Sequence, residues 1–242
     1  MIFQIPDTMP DEHYRAINIH GFINLCLFVA FAVILINFAF LFIAKAKKQE
    51  IKSAKRIKLS FAIFGFFYAL TRIFFILMFQ DFTNPDQNYD LFASLAYSCG
   101  MIGFLSIIWA LERIKYKKKY FFLIGLATTV ITIICSGIII VFIISGVGTT
   151  DLRENMLTII FIGTPISALI IFILYISLIR MSTGIVRKKA IYSLLGLMIM
   201  FVGIVMDSQF FLAFEFIPLW IKMDLVPIII IGGYLLFAIT QL

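Results

Sequence analysis

Histidine, cysteine and acidic residues are scarce in this chain. Of 242 residues, two are histidine, three are cysteine and 13 are Asp or Glu; charged residues of both signs make up only 14%. A soluble domain carries roughly 25% charged residues, so an ordinary soluble enzyme is excluded at once. Both histidines, His13 and His20, lie near the N-terminus. A metal-dependent hydrolase within the membrane and a serine–histidine nucleophile pair therefore both lack their imidazole, and no enzyme activity or cofactor is expected. Cys26, Cys99 and Cys135 each fall inside an apolar run, where they read as small packing residues and not as a disulfide or metal framework. Met1 to Arg15 has neither the basic start nor the apolar core of a cleaved signal peptide.

Apolar residues are abundant: they account for 62% of the chain, with 28 phenylalanines, and the mean hydropathy is +1.07. A helix needs about 20 apolar residues to cross a hydrocarbon core of about 30 Å. Seven stretches qualify: 17–44, 59–80, 91–111, 120–147, 155–179, 190–213 and 218–240. The expected fold is therefore all-α, a single transmembrane domain over 1–242 with a short N-terminal cap over 1–16. The seventh span is interrupted by Pro218 and Pro227; Asp224 before Pro227 offers an alternative start as a helix N-cap. Small residues at four-residue spacing mark close helix contact in the third span, namely Ser94 and Ser98, Ala96 and Gly100, Cys99 and Gly103.

Charge sorts cleanly between the linkers. Those after spans one, three and five hold 16 of the 20 basic residues and only Glu50 and Glu112 among the acids. The rest of the chain holds 4 basic and 11 acidic residues. The positive-inside rule then sets the N-terminus outside and the C-terminus inside a cell membrane. Lys55, Arg56, Lys58, Lys117, Lys118, Arg187, Lys188 and Lys189 are expected to touch the anionic inner leaflet or a docking protein. The basic excess needs no nucleic acid to explain it.

Charge at membrane depth is costly and points to a site by default. Arg72 lies well inside the second span and Asp207 inside the sixth; at about 1.5 Å per residue their depths differ by only about 3–4 Å. An Arg72–Asp207 pair is the sharpest structural expectation. Tyr68, Tyr97, Ser98, Thr164, Gln209 and Asp224 project to similar depth. With Arg72 and Asp207 they make a candidate polar ligand site in the outer half, for a small polar or anionic molecule. The competing reading is a purely structural ion pair joining two helices.

Other motifs carry less. A retinal-binding bundle needs a lysine in the middle of its last helix, whereas Lys222 lies near the outer end. The loop Asn84 to Asp90 alternates oxygen-bearing residues but lacks the glycine and distal glutamate of a calcium loop. Glu112-Arg113 matches the acidic–arginine pair of eukaryotic seven-helix receptors over only two residues.

The stretch Leu178-Ile-Arg-Met-Ser-Thr-Gly-Ile-Val-Arg187-Lys188-Lys189-Ala-Ile-Tyr-Ser-Leu-Leu-Gly196 resembles the prokaryotic seven-helix sensor domains found ahead of histidine kinases. There a basic turn leads into a glycine-containing sixth helix. The resemblance implies sensing of a small molecule or membrane state, with output through a separate signalling protein, and carries over no ligand residues. The chain ends directly after its last span, so no attached output domain is expected. A receptor or sensor-like module is thus the first expectation. A small-solute transporter and an accessory subunit of a membrane complex are the alternatives.

Overall fold

The computed structural model describes residues 11–78, 85–115, 119–145, 150–206, 218 and 220–242. Within them the chain is helical, with no strand: α1 (Asp11–Lys47), α2 (Lys52–Met78), α3 (Pro85–Lys115), α4 (Tyr120–Ser145), α5 (Thr150–Met181), α6 (Gly184–Met206) and α7 (Val226–Gln241). A π-helical turn, Ile221–Leu225, leads directly into α7. Six of the helices are long and apolar enough to cross a membrane, while α7 is a shorter apolar helix. The chain is a multi-pass helical protein of membrane type.

The helices are built to face lipid. In α4 the buried residues are Gly125, Thr129, Thr132, Cys135, Ser136 and Ile139, while Val130, Ile131, Ile134, Val141 and Ile144 stand exposed. In α6 the buried set is Ala190, Ser193, Gly196, Leu197, Met200 and Gly203. Most of the inward-facing residues are thus small or hydroxyl-bearing, with Ile139, Leu197 and Met200 as the large exceptions, and large aliphatic ones stand on the outward face of α4. Where the solvent is as apolar as the core, burying a leucine gains little, and close backbone approach with interhelical hydrogen bonds decides the packed face.

Helix α2 packs on α1 and α3; α3 also meets α4 and α5; α5 meets α6, and α6 lies closely along α7. The main core draws on α1, α2, α3, α5, α6 and α7, through Phe31, Phe64, Phe104, Tyr175, Met200 and Tyr234 among others. A smaller cluster, Ala93, Cys135, Ile139, Leu157 and Ile160, joins α4 to α3 and α5. The ends of α1 and α7 lie together, with the Lys45 Nζ donating to the main-chain oxygen of Leu242 at 2.9 Å.

The contact between α6 and α7 is backbone to backbone. A Cβ on Gly196 would come within 2.6 Å of the Phe237 nitrogen and 2.8 Å of the Gly233 oxygen. A Cβ on Gly233 would collide with the Met200 nitrogen. The turn between α5 and α6 closes through Gly184, whose φ of 60° is costly for any residue with a Cβ.

Two sequence readings are refined. The N-cap of α7 is Leu225, with no side-chain capping bond, so Asp224 is not the cap; it lies within the π turn. Pro227 has no N–H and its ring crowds the carbonyl four residues back; a π turn just before it loosens that register. Pro165, by contrast, is accommodated inside an unbroken α5. The paired small residues of α3 serve two different neighbours. Ser94 and Ser98 bond to Ser136 of α4, whereas Gly100 and Gly103 face Thr71, Phe64 and Phe67 of α2.

Candidate functional site

Arg72 is only 2% exposed. It sits one turn beyond Tyr68 on α2, whose hydroxyl accepts from the Arg72 Nη2 at 2.9 Å. Four aromatic rings surround the guanidinium. Its central carbon lies 5.1 Å from the Phe28 ring, 5.7 Å from Phe31, 5.2 Å from Tyr68 and 5.8 Å from Phe75. Phe28 and Phe31 come from α1 at a spacing of three, and Tyr68 and Phe75 flank Arg72 on α2 at spacings of four and three. Helical geometry sets each pair on one face, and the packing of α1 on α2 closes the cage.

The cage replaces water with π-faces. Each favourable cation–ring contact is worth about 0.5–1 kcal/mol when exposed and about 2 kcal/mol or more when desolvated. An arginine suits such a place better than a lysine, because its planar, weakly hydrated head stacks on rings. The cage is itself anchored: Phe31 packs edge-on against Tyr68 and Tyr234, at 6.0 Å and 5.6 Å between centroids.

The other expected site residues divide between neighbours. The Tyr97 ring is edge-on to Phe75 at 5.5 Å and to Phe161 at 4.8 Å, so it stands one ring removed from Arg72. Ser98 is engaged elsewhere: its hydroxyl donates to the Ser136 Oγ at 2.8 Å, and Ser136 donates to the Ser94 carbonyl at 3.1 Å. Thr164 is half-buried on α5, and Asp224 is half-buried in the π turn. Asp207 and Gln209 lie outside the described residues, and with them the expected Arg72–Asp207 pair. Thr71, beside Arg72, donates to the Phe67 and Ala96 carbonyls at 3.0 Å each and so ties α2 to α3.

Sequence reasoning found Arg72 and Tyr68 but missed Phe28, Phe31 and Phe75. With 28 phenylalanines in the chain, their helical spacing was the only signal, and it marks core faces equally well.

At the lysine-rich end, Glu112 is buried and takes main-chain N–H bonds from Phe121 and Phe122, each at 2.8 Å. Its carboxylate therefore caps α4 across the connecting loop, while Arg113 stacks over the Trp109 ring at 5.0 Å. The acidic–arginine pair is split between two local tasks. Of the basic residues expected to contact lipid or protein, Lys55, Arg56, Arg187, Lys188 and Lys189 are exposed and Lys58 is half-buried; Lys117 and Lys118 lie outside the described residues. Among the described residues no group of three His, Cys, Asp or Glu could hold a metal ion.

No protein family, no characterised protein and no solved structure matches this chain. Its architecture and the Arg72 cage are the grounds for a functional reading.

Proposed function

We propose that the chain is a seven-span receptor or sensor-like module of the cell membrane, with its N-terminus outside and its C-terminus inside. In this reading α7 completes the seventh crossing. The helical path from Trp220 to Gln241 is 22 residues long, enough for a hydrocarbon core of about 30 Å. The orientation rests on the basic linkers after the first, third and fifth spans.

The observation that carries the proposal is the Arg72 cage. A permanently charged group at membrane depth is retained at a cost and pairs with something. A small polar or anionic ligand that bonds the guanidinium would compete with its aromatic and Tyr68 contacts. Because Arg72 is enclosed, such a ligand is reached only when covering side chains shift, and that shift is the signal. Both α1 and α2 contribute to the cage; α1 ends and α2 begins among the basic residues, so a change at Arg72 moves helices that reach the opposite side. Output passes to a separate protein docked on that side.

Native mass spectrometry of gently solubilised wild type beside Arg72→Leu tests this. A discrete small-molecule adduct present in the wild type and absent from the variant supports the site. Wild type that carries another protein and no small molecule moves the reading to an accessory subunit, and bare monomers in both samples defeat the ligand site.

One observation favours a second reading. The π turn at Ile221–Leu225 followed by Pro227 interrupts the last helix, as in transporters that bind solutes at broken helices. Solute uptake by proteoliposomes that is lost in Arg72→Leu would select transport over sensing.

A further inference from the structure

Helix α1 carries a polar group on the side where hydrocarbon should lie. It turns Phe28, Phe31, Leu35, Ala39, Phe42 and Ala46 into the bundle, all buried, and its main partner there is α2. On the opposite side Cys26, Ala30, Val33, Asn37, Phe40 and Ala44 stand exposed. Their spacings alternate between four and three residues, which keeps them on one seam along the helix. The π turn and α7 also touch α1, but the seam stays open among the described residues.

Asn37 sets this side apart from an ordinary lipid-facing one. It lies ten residues before the end of α1 at Lys47, a rise of about 15 Å and so about half the depth of a hydrocarbon core. One amide N–H is spent on the Val33 carbonyl of its own helix, at 2.9 Å. Among the described residues nothing takes the second N–H or the amide oxygen. Acyl chains offer neither donor nor acceptor, and an unsatisfied amide in such surroundings is costly. A second amide at the same depth removes that cost.

We infer that this seam is a dimer interface, filled by α1 of a second copy of the chain. Copies in one membrane share their orientation, so a twofold axis along the membrane normal sets the two helices parallel, with Asn37 opposite Asn37. An amide is donor and acceptor at once, so each Asn37 gives its remaining N–H to the other's oxygen. A different protein would need its own polar group at this depth; a second copy supplies one by symmetry. A single asparagine on such a seam fixes register and the number of strands. Ala30 and Ala44, seven residues to either side, let the backbones approach, while Phe40 is held edge-on to Phe66 of α2 at 5.5 Å. The two Lys47 ammonium groups lie in the headgroup layer, where salt screens their repulsion. The inference is independent of any ligand at Arg72.

The test uses the purified full chain in liposomes over a range of protein-to-lipid ratios, with subunit number read by single-molecule photobleaching. Wild type should be dimeric, and oxidation with copper-phenanthroline should join the copies through Cys26, so that Cys26→Ser abolishes the link. Asn37→Leu should raise the dimer dissociation constant about tenfold. Asn37→Gln, which keeps an amide, should stay near wild type, and Ala30→Phe should block pairing by its bulk. Ile134→Phe, on the exposed face of α4, is the control and should change nothing. In detergent, monomeric Asn37→Leu should unfold at or above the wild-type temperature, since the amide bonds only its own helix; this separates loss of pairing from loss of folding. A monomeric wild type, a dimer indifferent to both Asn37→Leu and Ala30→Phe, or a dimer without the Cys26 link overturns the inference.

Discussion

Glu112 at the end of α3 caps the helix that follows it. Its two carboxylate oxygens accept the main-chain N–H groups of Phe121 and Phe122, one each, at 2.8 Å. The first N–H groups of any helix lack an intrahelical partner, and a carboxylate there also meets the positive end of the helix dipole. Since Glu112 is buried, water does not readily substitute for it.

Replacing Glu112 by alanine should therefore destabilise the protein by about 2–4 kcal/mol, given about 1.5–3 kcal/mol for a charge-assisted hydrogen bond. Glu112→Gln retains one good acceptor and should lose roughly half as much. Thermal unfolding in a single detergent checks both. Equal melting of Glu112→Ala and wild type would show that the cap contributes nothing.

The close approach of α6 and α7 makes a sharper contrast. Gly196→Ala and Gly233→Ala each force a methyl into opposing backbone and should cost about 1–3 kcal/mol or more, as overpacking does. Gly232→Ala, whose Cβ would meet nothing within 4 Å, should be neutral or slightly stabilising. Melting temperatures of the three variants measured side by side decide it, and a penalty at Gly232 matching that at Gly233 would contradict this packing.

Between α3 and α4 the hydroxyl chain from Ser98 through Ser136 to the Ser94 carbonyl predicts a coupled pair. Ser136→Ala breaks both bonds and Ser98→Ala only one. Interhelical hydrogen bonds in membranes average about 0.6 kcal/mol and reach about 1.7 kcal/mol, so Ser136→Ala should be the worse by a few tenths of a kcal/mol. A double-mutant cycle measures the coupling, and strictly additive losses would mean that the two hydroxyls do not interact.

At Arg72 the ring of Tyr68 and its hydroxyl can be separated. Tyr68→Phe keeps the aromatic face and deletes one acceptor for a charged donor, a loss of about 1.5–3 kcal/mol. Phe31→Ala removes a wall of the cage and a core anchor together and should cost about 3–5 kcal/mol. Arg72→Lys should not restore wild-type stability, because an ammonium cannot stack between four rings as a guanidinium does. Unfolding of the four proteins in one lipid–detergent mixture tests the order.

Much of the architecture was legible in the chain because it depends on transfer from water to lipid, which each segment undergoes by itself. Apolar length marked six long helices; the seventh stretch, read over 218–240 with an alternative start at Asp224, holds a π turn and a shorter apolar helix, Val226–Gln241. What could not be read was which side chain each polar residue answers. Ser98 looked like an outer-site residue until the course of α4 brought Ser136 to it. Glu112-Arg113 looked like a pair, but the turn into α4 takes the glutamate while Trp109 takes the arginine. Asp224 had the chemistry of a cap, yet the proline two residues after Leu225 is met by a π turn.

The sequence by itself determined the membrane class, the helical fold and the sorting of charge between linkers, because hydropathy and charge act locally and add along the chain. Only the tertiary structure decided that Phe28 and Phe31 of α1 close on Arg72 of α2. It alone pressed Gly196 against Gly233. Those relationships depend on the relative position and rotation of helices far apart in sequence. Within an apolar solvent that choice is made by close packing and interhelical hydrogen bonds, which no single segment encodes alone.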